Sequence, residues 1–411
     1  MKTNLNRIKK DIEELSKFNS STEGGLTRFS LTKEDKMARD YLKGELEKLN
    51  LEIYEDPAGT LFGRKQGSDK NAKTILIGSH FDSVKNGGNF DGPAGVVMAL
   101  EIMRTLDENN VSLKNSLEFV AMIEEEGGRF GSGVFGSRAM VGLVDYEQLE
   151  KNKDKDGISM AEAFRDFGFD PSKIKEAKKD KEEIKAFIEL HIEQGPILEK
   201  ESKDIGIVEF IVGINEFRVT ISGKADHAGT TPMDMRSDAV LAASKVISKT
   251  GEYAMAENNG TVVTVGVLEV KPGAANIVAK EAVFTVDIRS KSKESIESVK
   301  AKIIKDLEKI TKETATSFEI SEMLNASPVE MNPSIVEMFK KSAEEIGFSY
   351  KMMLSGAGHD AMIMSQITDV GLIFVPSKDG KSHSKDEWTD YDQLQKGIEL
   401  VYDTIVKLGD E

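Results

Sequence analysis

Five histidines and a recurring set of carboxylates carry most of the chemistry this sequence could perform. In "GSHFDSV", Asp82 follows His80 by two places, so on an extended chain both side chains point to one side. "GGNFDGPAG" holds Asp91 in a glycine-rich turn ahead of a helical stretch. "LEFVAMIEEEGGRF" runs from an apolar strand pattern, Leu117 to Ile123, straight into Glu124, Glu125 and Glu126. Adjacent like charges repel, and burying any of them is costly unless an opposite charge offsets it. "ELHIEQGP" supplies His191 and "DGKSHSKDEW" supplies His383. Imidazole and carboxylate together suit divalent ions such as zinc, manganese or cobalt, whose charge makes a glutamate cluster tolerable.

The elements that must position these residues alternate between two patterns. "KTILIGSH", "SLEFVAMI" and "IKAFIELHIEQG" are continuous apolar runs that read as buried strands. "LTKEDKMARDYLKGELEKLN" and "GPAGVVMALEIMRTL" are helical. The first of these helices opens with Thr32 and Asp35 in the places of a capping box and repeats Met37, Tyr41, Leu42 and Leu46 at helical spacing. Such an alternation predicts a mainly parallel sheet covered on both faces, with the histidines and acids at the carboxyl ends of successive strands, where open α/β sheets bind ligands.

Residues 213–325 follow a different order. Strand "EFRVTISG", helix "SDAVLAASKVISKTG", strand "TVVTVGVLEV", strand "AVFTVDIRS", helix "KESIESVKAKIIKDLEKI" and strand "SFEISEML" make β-α-β-β-α-β, the ferredoxin-like arrangement. The α/β pattern then resumes with "PSIVEMFKKSAEEIG", "VGLIFVPS" and "YDQLQKGIELVYDTIVKL". The expectation is an α/β domain of residues 1–212 and 326–411 with an α+β domain, 213–325, inserted in it. The charged runs "EKNKDKDG" and "KIKEAKKDKEEIK" read as solvated surface.

Composition sets the outer limits. A chain of 411 residues is long for one core and fits two domains. A net charge of −16 argues against coating nucleic acid or anionic lipid, which need basic surface. The absence of cysteine removes disulfides, thiolate metal sites and cysteine nucleophiles together. "MKTNLNRIKKDIEELSKF" is a polar amphipathic pattern without the apolar centre of a signal peptide, and no apolar stretch approaches a membrane span. A cytoplasmic protein without membrane or nucleic-acid partners is expected. "GSGVFG", Gly131 to Gly136, fits the dinucleotide pattern G-x-G-x-x-G. It begins eight residues past the apolar run and directly beyond three acids that would repel a pyrophosphate.

Taken as a set, "GSHFDSV", "NGGNFDGPAGV", "EEEGGRF", "HIEQGP", "GKADHAGTTPM", "ANIV", "DIRS" and "FVPSKDGKSHSKDEW" resemble the M20-type metallo-amidohydrolases. Within that family they are most similar to the hydantoinase/carbamoylase branch, the N-carbamoyl-L-amino acid hydrolases. The match runs in consistent order from about Gly24 to the C-terminus. The resemblance implies a catalytic domain with an inserted lid and dimerisation domain, and two divalent ions per subunit, zinc or manganese, cobalt or nickel. His80, Asp91 and His191 would hold one ion, and Asp91, Glu126 and His383 the other. It also implies Asp82 as the carboxylate that orients His80, Glu125 as general base, and Gln194, His227, Asn276, Arg289 and Gly358 as substrate-binding residues.

By the same resemblance, His227 is expected to serve the active site of a partner subunit in a homodimer formed through the inserted domain. Glu124 receives no catalytic role, and His359, in "SGAGHDAM", either lines the pocket or braces the loop beside Asp360. The implied substrate is a small ureido acid. Allantoate, a β-ureido acid or a dipeptide would use the same machinery, and a non-catalytic binding module would keep the fold while losing a ligand.

Overall fold

The computed structural model describes residues 3–410. In chain order its strands are β1 (Glu52–Glu55), β2 (Leu61–Lys65), β3 (Thr74–His80), β4 (Leu117–Met122), β5 (Ile184–Ile192), β6 (Ile205–Ile211) and β7 (Gly213–Ser222). Then follow β8 (Val262–Thr264), β9 (Leu268–Lys271), β10 (Glu281–Ser290), β11 (Ser317–Ala326), β12 (Val329–Glu330), β13 (Tyr350–Ser355) and β14 (Asp369–Val375). The chain divides into two compact units. The larger comprises the residues up to Glu209, Met331–Met353 and those from Gly358 onward, and the smaller comprises Phe210–Glu330 with Leu354–Ala357. β6 and β13 run across the division, and strand pairing decides where contacts change.

The sheet of the larger unit has the order β1-β2-β4-β3-β5-β14-β6. β3 runs parallel to β4 and β5, and β5 parallel to β14, whereas β2 is antiparallel to β4 and β6 to β14. A parallel centre thus carries antiparallel margins. β3 and β4 are buried along their whole length, which is why they read as uninterrupted apolar runs. Helix Pro93–Glu108 is covered at nearly every position and packs on this centre. Each fully buried Val, Ile or Phe there contributes roughly 1.5–3 kcal/mol relative to exposure.

Local details depart from the expected pattern in instructive ways. Thr32 caps helix Lys33–Glu47 by accepting from the Asp35 N–H, but Asp35 reaches back to the N–H of Leu31, and it pairs with Arg39 at 3.1 Å. Met37, expected on the packed face, is exposed, while Ala38, Leu42 and Leu46 are buried. The charged runs are not uniformly solvated. Asp154 is drawn in by Arg129 at 3.2 Å, and the Lys179 ammonium lies 3.9 Å from the centre of the Phe62 ring.

The smaller unit has its own sheet, β11-β7-β10-β8, with β9 also paired to β10, all antiparallel. Along β7 the buried Phe217, Val219 and Ile221 alternate with more exposed polar residues. They meet Phe284, Val286 and Ile288 of β10 and Val299, Ile303 and Leu307 of helix Lys293–Glu313 in a separate core. The β-α-β-β-α-β order holds, but "TVVTVGVLEV" is broken into β8 and β9, and the helix after β7 into Ala239–Ile247 and Thr250–Ala256. No helix among the described residues is long and apolar enough to cross a membrane.

Candidate metal and catalytic site

Four chain segments converge at the carboxyl ends of the parallel strands. His80 closes β3, the three glutamates follow β4, His191 lies at the end of β5, and His383 sits in the loop beyond β14. In the register, His80 stands opposite Met122 and His191 opposite Phe374, so these ends lie level. Asp91 enters from the turn before helix Pro93–Glu108. There Gly92, at φ +79°, is required twice over. Its backbone is left-handed, and a Cβ would lie 2.3 Å from the His80 ring. Glu124, Gln194 and His383 also adopt left-handed backbone, at φ of 52°, 57° and 53°, so the chain turns sharply around the site.

The distances define two overlapping groups around one carboxylate. Asp91 Oδ1 lies 3.1 Å from His191 Nε2 and 3.5 Å from His80 Nε2, and its Oδ2 lies 3.4 Å from His383 Nε2. Glu126 Oε2 is also 3.4 Å from His383 Nε2. The donor atoms of His80, Asp91 and His191 lie within 4.8 Å of one another, as do those of Asp91, Glu126 and His383 and those of His80, Glu125 and Glu126. Glu125 Oε2 stands 3.7 Å from His80 Nε2.

The glutamate triplet is sorted by its surroundings. Glu124 is fully buried, and its Oε1 accepts from the N–H of Phe130 at 2.7 Å and of Arg129 at 3.2 Å, closing the turn it begins. Asp82 accepts from the N–H groups of Glu125 at 3.0 Å and Glu126 at 3.2 Å, and its Oδ1 is 3.6 Å from His80 Nδ1. The carboxylate of Asp82 therefore fixes the backbone that presents the next two acids, while its backbone carbonyl lies 3.3 Å from His80 Nδ1.

Electrostatics separates the acids. Burial works against charge on Asp91, but the imidazoles of His191, His383 and His80 outweigh it and hold this carboxyl well below the usual range. Burial, reinforced by the charge of Asp91, pushes Glu126 up to about 7. Burial also drives Glu125 well above its ordinary value, with His80 opposing and Asp360 reinforcing the shift. The hydrogen bond to Asp91 raises His383 to about 9 despite partial burial. Among the described residues the ion-pair partners of Asp91 and Glu126 are imidazoles only. Glu126 Oε1 is buried with no hydrogen-bond partner. An acid-rich, nitrogen- and oxygen-bearing cluster with an orphaned buried carboxylate oxygen fits divalent cations.

The remaining candidates are placed as follows. Gln194 Nε2 donates to Asp91 Oδ2 at 2.7 Å, so this residue touches the shared carboxylate directly. His359 is buried with its ring 4.6 Å from that of His191, and burial, then the charge of His191, holds it well below the usual histidine range. Its neighbour Asp360 accepts from Ser137 Oγ at 2.6 Å. Gly358 leaves open space where a side chain would project. In the smaller unit His227 is exposed, bridges to Ile277, and accepts at Nδ1 from the Gly229 N–H, while the Asn276 carbonyl accepts from Ala228 at 3.0 Å. Arg289, on β10, donates from Nε and Nη2 to Asp287 and from Nη1 to the Gly356 carbonyl at 2.6 Å. Sequence reasoning missed Ser382 and Glu387, which hold Asp91 from the His383 loop. Their signal in the sequence is "SHSKDEW", where a serine and a glutamate flank the histidine.

A family model described as Peptidase family M20/M25/M40 matches residues 76–407. The chain is 43% identical over 401 residues to an N-carbamoyl-L-amino-acid amidohydrolase of Paenarthrobacter aurescens, covering 97% of each protein. It is 38% identical over 403 residues to an N-carbamoyl-L-amino acid amidohydrolase of Geobacillus stearothermophilus, covering 98% of each. Among solved structures, a hydantoinase/carbamoylase family amidase from Burkholderia multivorans superimposes with a TM-score of 0.93 at 30% identity, covering 100% of this chain and 99% of the other.

Proposed function

The chain belongs to peptidase family M20/M25/M40, and from that premise we propose that it is a metal-dependent amidohydrolase acting on N-carbamoyl-L-amino acids. Cleavage of the bond between the carbamoyl carbon and the amino acid nitrogen would release the amino acid and carbamate, which decays to ammonia and carbon dioxide. The observation that carries this reading is the convergence of His80, Asp91, Glu126, His191 and His383 around one shared carboxylate with Glu125 beside them. End-to-end similarity to carbamoyl-amino-acid amidohydrolases supports the substrate class.

His80, Asp91 and His191 would hold one divalent cation, and Asp91, Glu126 and His383 a second; zinc, manganese, cobalt and nickel all suit these donors. Cations bound there would polarise a carbonyl and acidify water. Glu125, 3.7 Å from His80 Nε2, takes a proton from the attacking water and returns it to the leaving nitrogen. Asp82 keeps His80 in one orientation and holds the backbone of Glu125 and Glu126. Arg289 clamps the substrate carboxylate with its planar fork, taking that carboxylate in exchange for part of its present hydrogen bonding to Asp287. Gln194, Asn276 and Gly358 position the ureido group, and His227 donates to the oxyanion that forms as the carbonyl is attacked. In this reading the smaller unit is a lid and the seat of a homodimer, and His227 acts in the active site of the partner subunit.

A panel measuring ammonia release decides the substrate. N-carbamoyl-L-amino acids, allantoate, a β-ureido acid and dipeptides are offered to metal-loaded protein. Turnover of the N-carbamoyl-L-amino acids well above the others is expected, and loss of that turnover on chelation. Preference for allantoate or a dipeptide would overturn the substrate assignment, and no turnover of any of them would overturn the enzyme.

A further inference from the structure

The loop that carries His383 is tied to Asp91 by a second carboxylate with no part in the chemistry above. Glu387 is 5% exposed. Its Oε1 accepts from the backbone N–H of Phe90 at 2.9 Å and of Asp91 at 3.0 Å. Its Oε2 lies 3.1 Å from Ser382 Oγ, which in turn lies 2.6 Å from Asp91 Oδ2. Asp91 is therefore held at its backbone and at its carboxylate by one short segment, Ser382 to Glu387, with His383 inside it. Gly88 leaves the room this needs, since a Cβ there would lie 2.1 Å from Glu387 Oε1. Trp388 meets Phe90 edge-on at 5.3 Å and fastens the same two loops.

We propose that Glu387 is a positioning residue that sets the spacing between Asp91 and His383, and so builds the Asp91–Glu126–His383 cation group selectively. The inference rests on the two-cation reading. Asp91 is common to both groups, but its two partners in the other group have independent support, because His80 ends β3 and His191 is the penultimate residue of β5, strands held by ladder pairing. His383 lies outside any strand, in left-handed backbone, and depends on the loop-to-loop link. Loss of the link should therefore be felt unequally by the two ions.

The test is calorimetric titration of metal-free protein with Mn²⁺, with the melting temperature of each metal-free variant measured alongside. Wild type should take up two ions. Glu387→Ala should bind one ion ~10–100-fold more weakly, the usual effect of removing a group that orients ligands, and weaken the other by much less, so that the ratio of the two affinities changes. Glu387→Gln keeps an oxygen for the two N–H groups and should restore most of the lost affinity. Ser382→Ala should weaken the same ion, by less. A merely structural role would lower the melting temperature while leaving the ratio of the two affinities unchanged, and that outcome overturns the proposal. If Glu387→Ala does not fold, Ser382→Ala decides: equal affinities to wild type for both ions overturn it. Fewer than two ions in wild type would sink the two-cation reading before any variant is compared, and the inference with it.

Discussion

Glu124, Glu125 and Glu126 are identical in kind and adjacent in sequence, yet each meets a different environment. The first closes a turn through backbone N–H groups, the second faces His80, and the third faces His383. The division predicts separable phenotypes. Glu125→Gln should fold and bind two ions normally while turnover falls at least ~100-fold, the lower range for acid–base catalysis; near-normal turnover would remove Glu125 from the role. Arg289→Ala should raise KM for a carboxylate-bearing substrate roughly tenfold or more. That corresponds to the ~1.5–3 kcal/mol of a hydrogen bond to a charged group. An unchanged KM in steady-state kinetics would refute the clamp. The histidines and acids that converge here are legible in sequence because their types and spacing announce themselves. Glu387 is not, because what matters is a partner on a distant segment, the backbone of Phe90 and Asp91.

At the scale of elements, the long apolar strands and helices are readable and the short margins are not. The β1–β2 hairpin escapes notice because its strands are brief and its turn, "EDPAGT", has no alternating pattern on either side. Its organiser is Asp56, whose Oδ1 accepts from Ala58 and Thr60, each at 2.9 Å, while its Oδ2 is buried without a partner. Burial raises this carboxyl from 3.8 to about 7, against the N–H donors of Thr60 and Ala58 and the charge of Lys179, which pull it down. The folded state therefore holds this proton more tightly than the unfolded chain. The stabilisation is complete below about pH 4 and is lost as pH rises to about 7, at up to ~1.4 kcal/mol per pH unit. Asp56→Asn lacks that dependence. Its melting temperature relative to wild type should climb between pH 5 and pH 8, and a gap that stays constant or shrinks would show that Asp56 is not a buried, shifted acid.

For the whole molecule, exposed apolar side chains gather in the smaller unit. Val262 is 53% exposed and Leu268 52%, both on strands that, among the described residues, pair with β10 alone and leave their other edge open. An unpaired apolar edge is a template for another chain. If the proposed homodimer forms through this edge, replacing both residues by Asp should convert it to a monomer in light scattering. It should leave metal uptake intact, because every candidate ligand lies in the larger unit, and abolish turnover if His227 acts in the partner's site. An unchanged dimeric mass would rule out this edge as the seat of a dimer, and a monomeric wild type would rule out the dimer itself. The two-domain plan follows from where the periodicity switches between 213 and 325, but the exposed edge does not, since an apolar strand reads alike whether its neighbour is its own chain or another.

Where divalent cations bind is the most direct test of the two-cation site. Anomalous diffraction from crystals grown with Zn²⁺ should show two peaks per chain. One should be ligated by His80, Asp91 and His191, the other by Asp91, Glu126 and His383, with Glu125 beside both and coordinating neither. Peaks bound by other residues, or these side chains pointing apart around none, would contradict it.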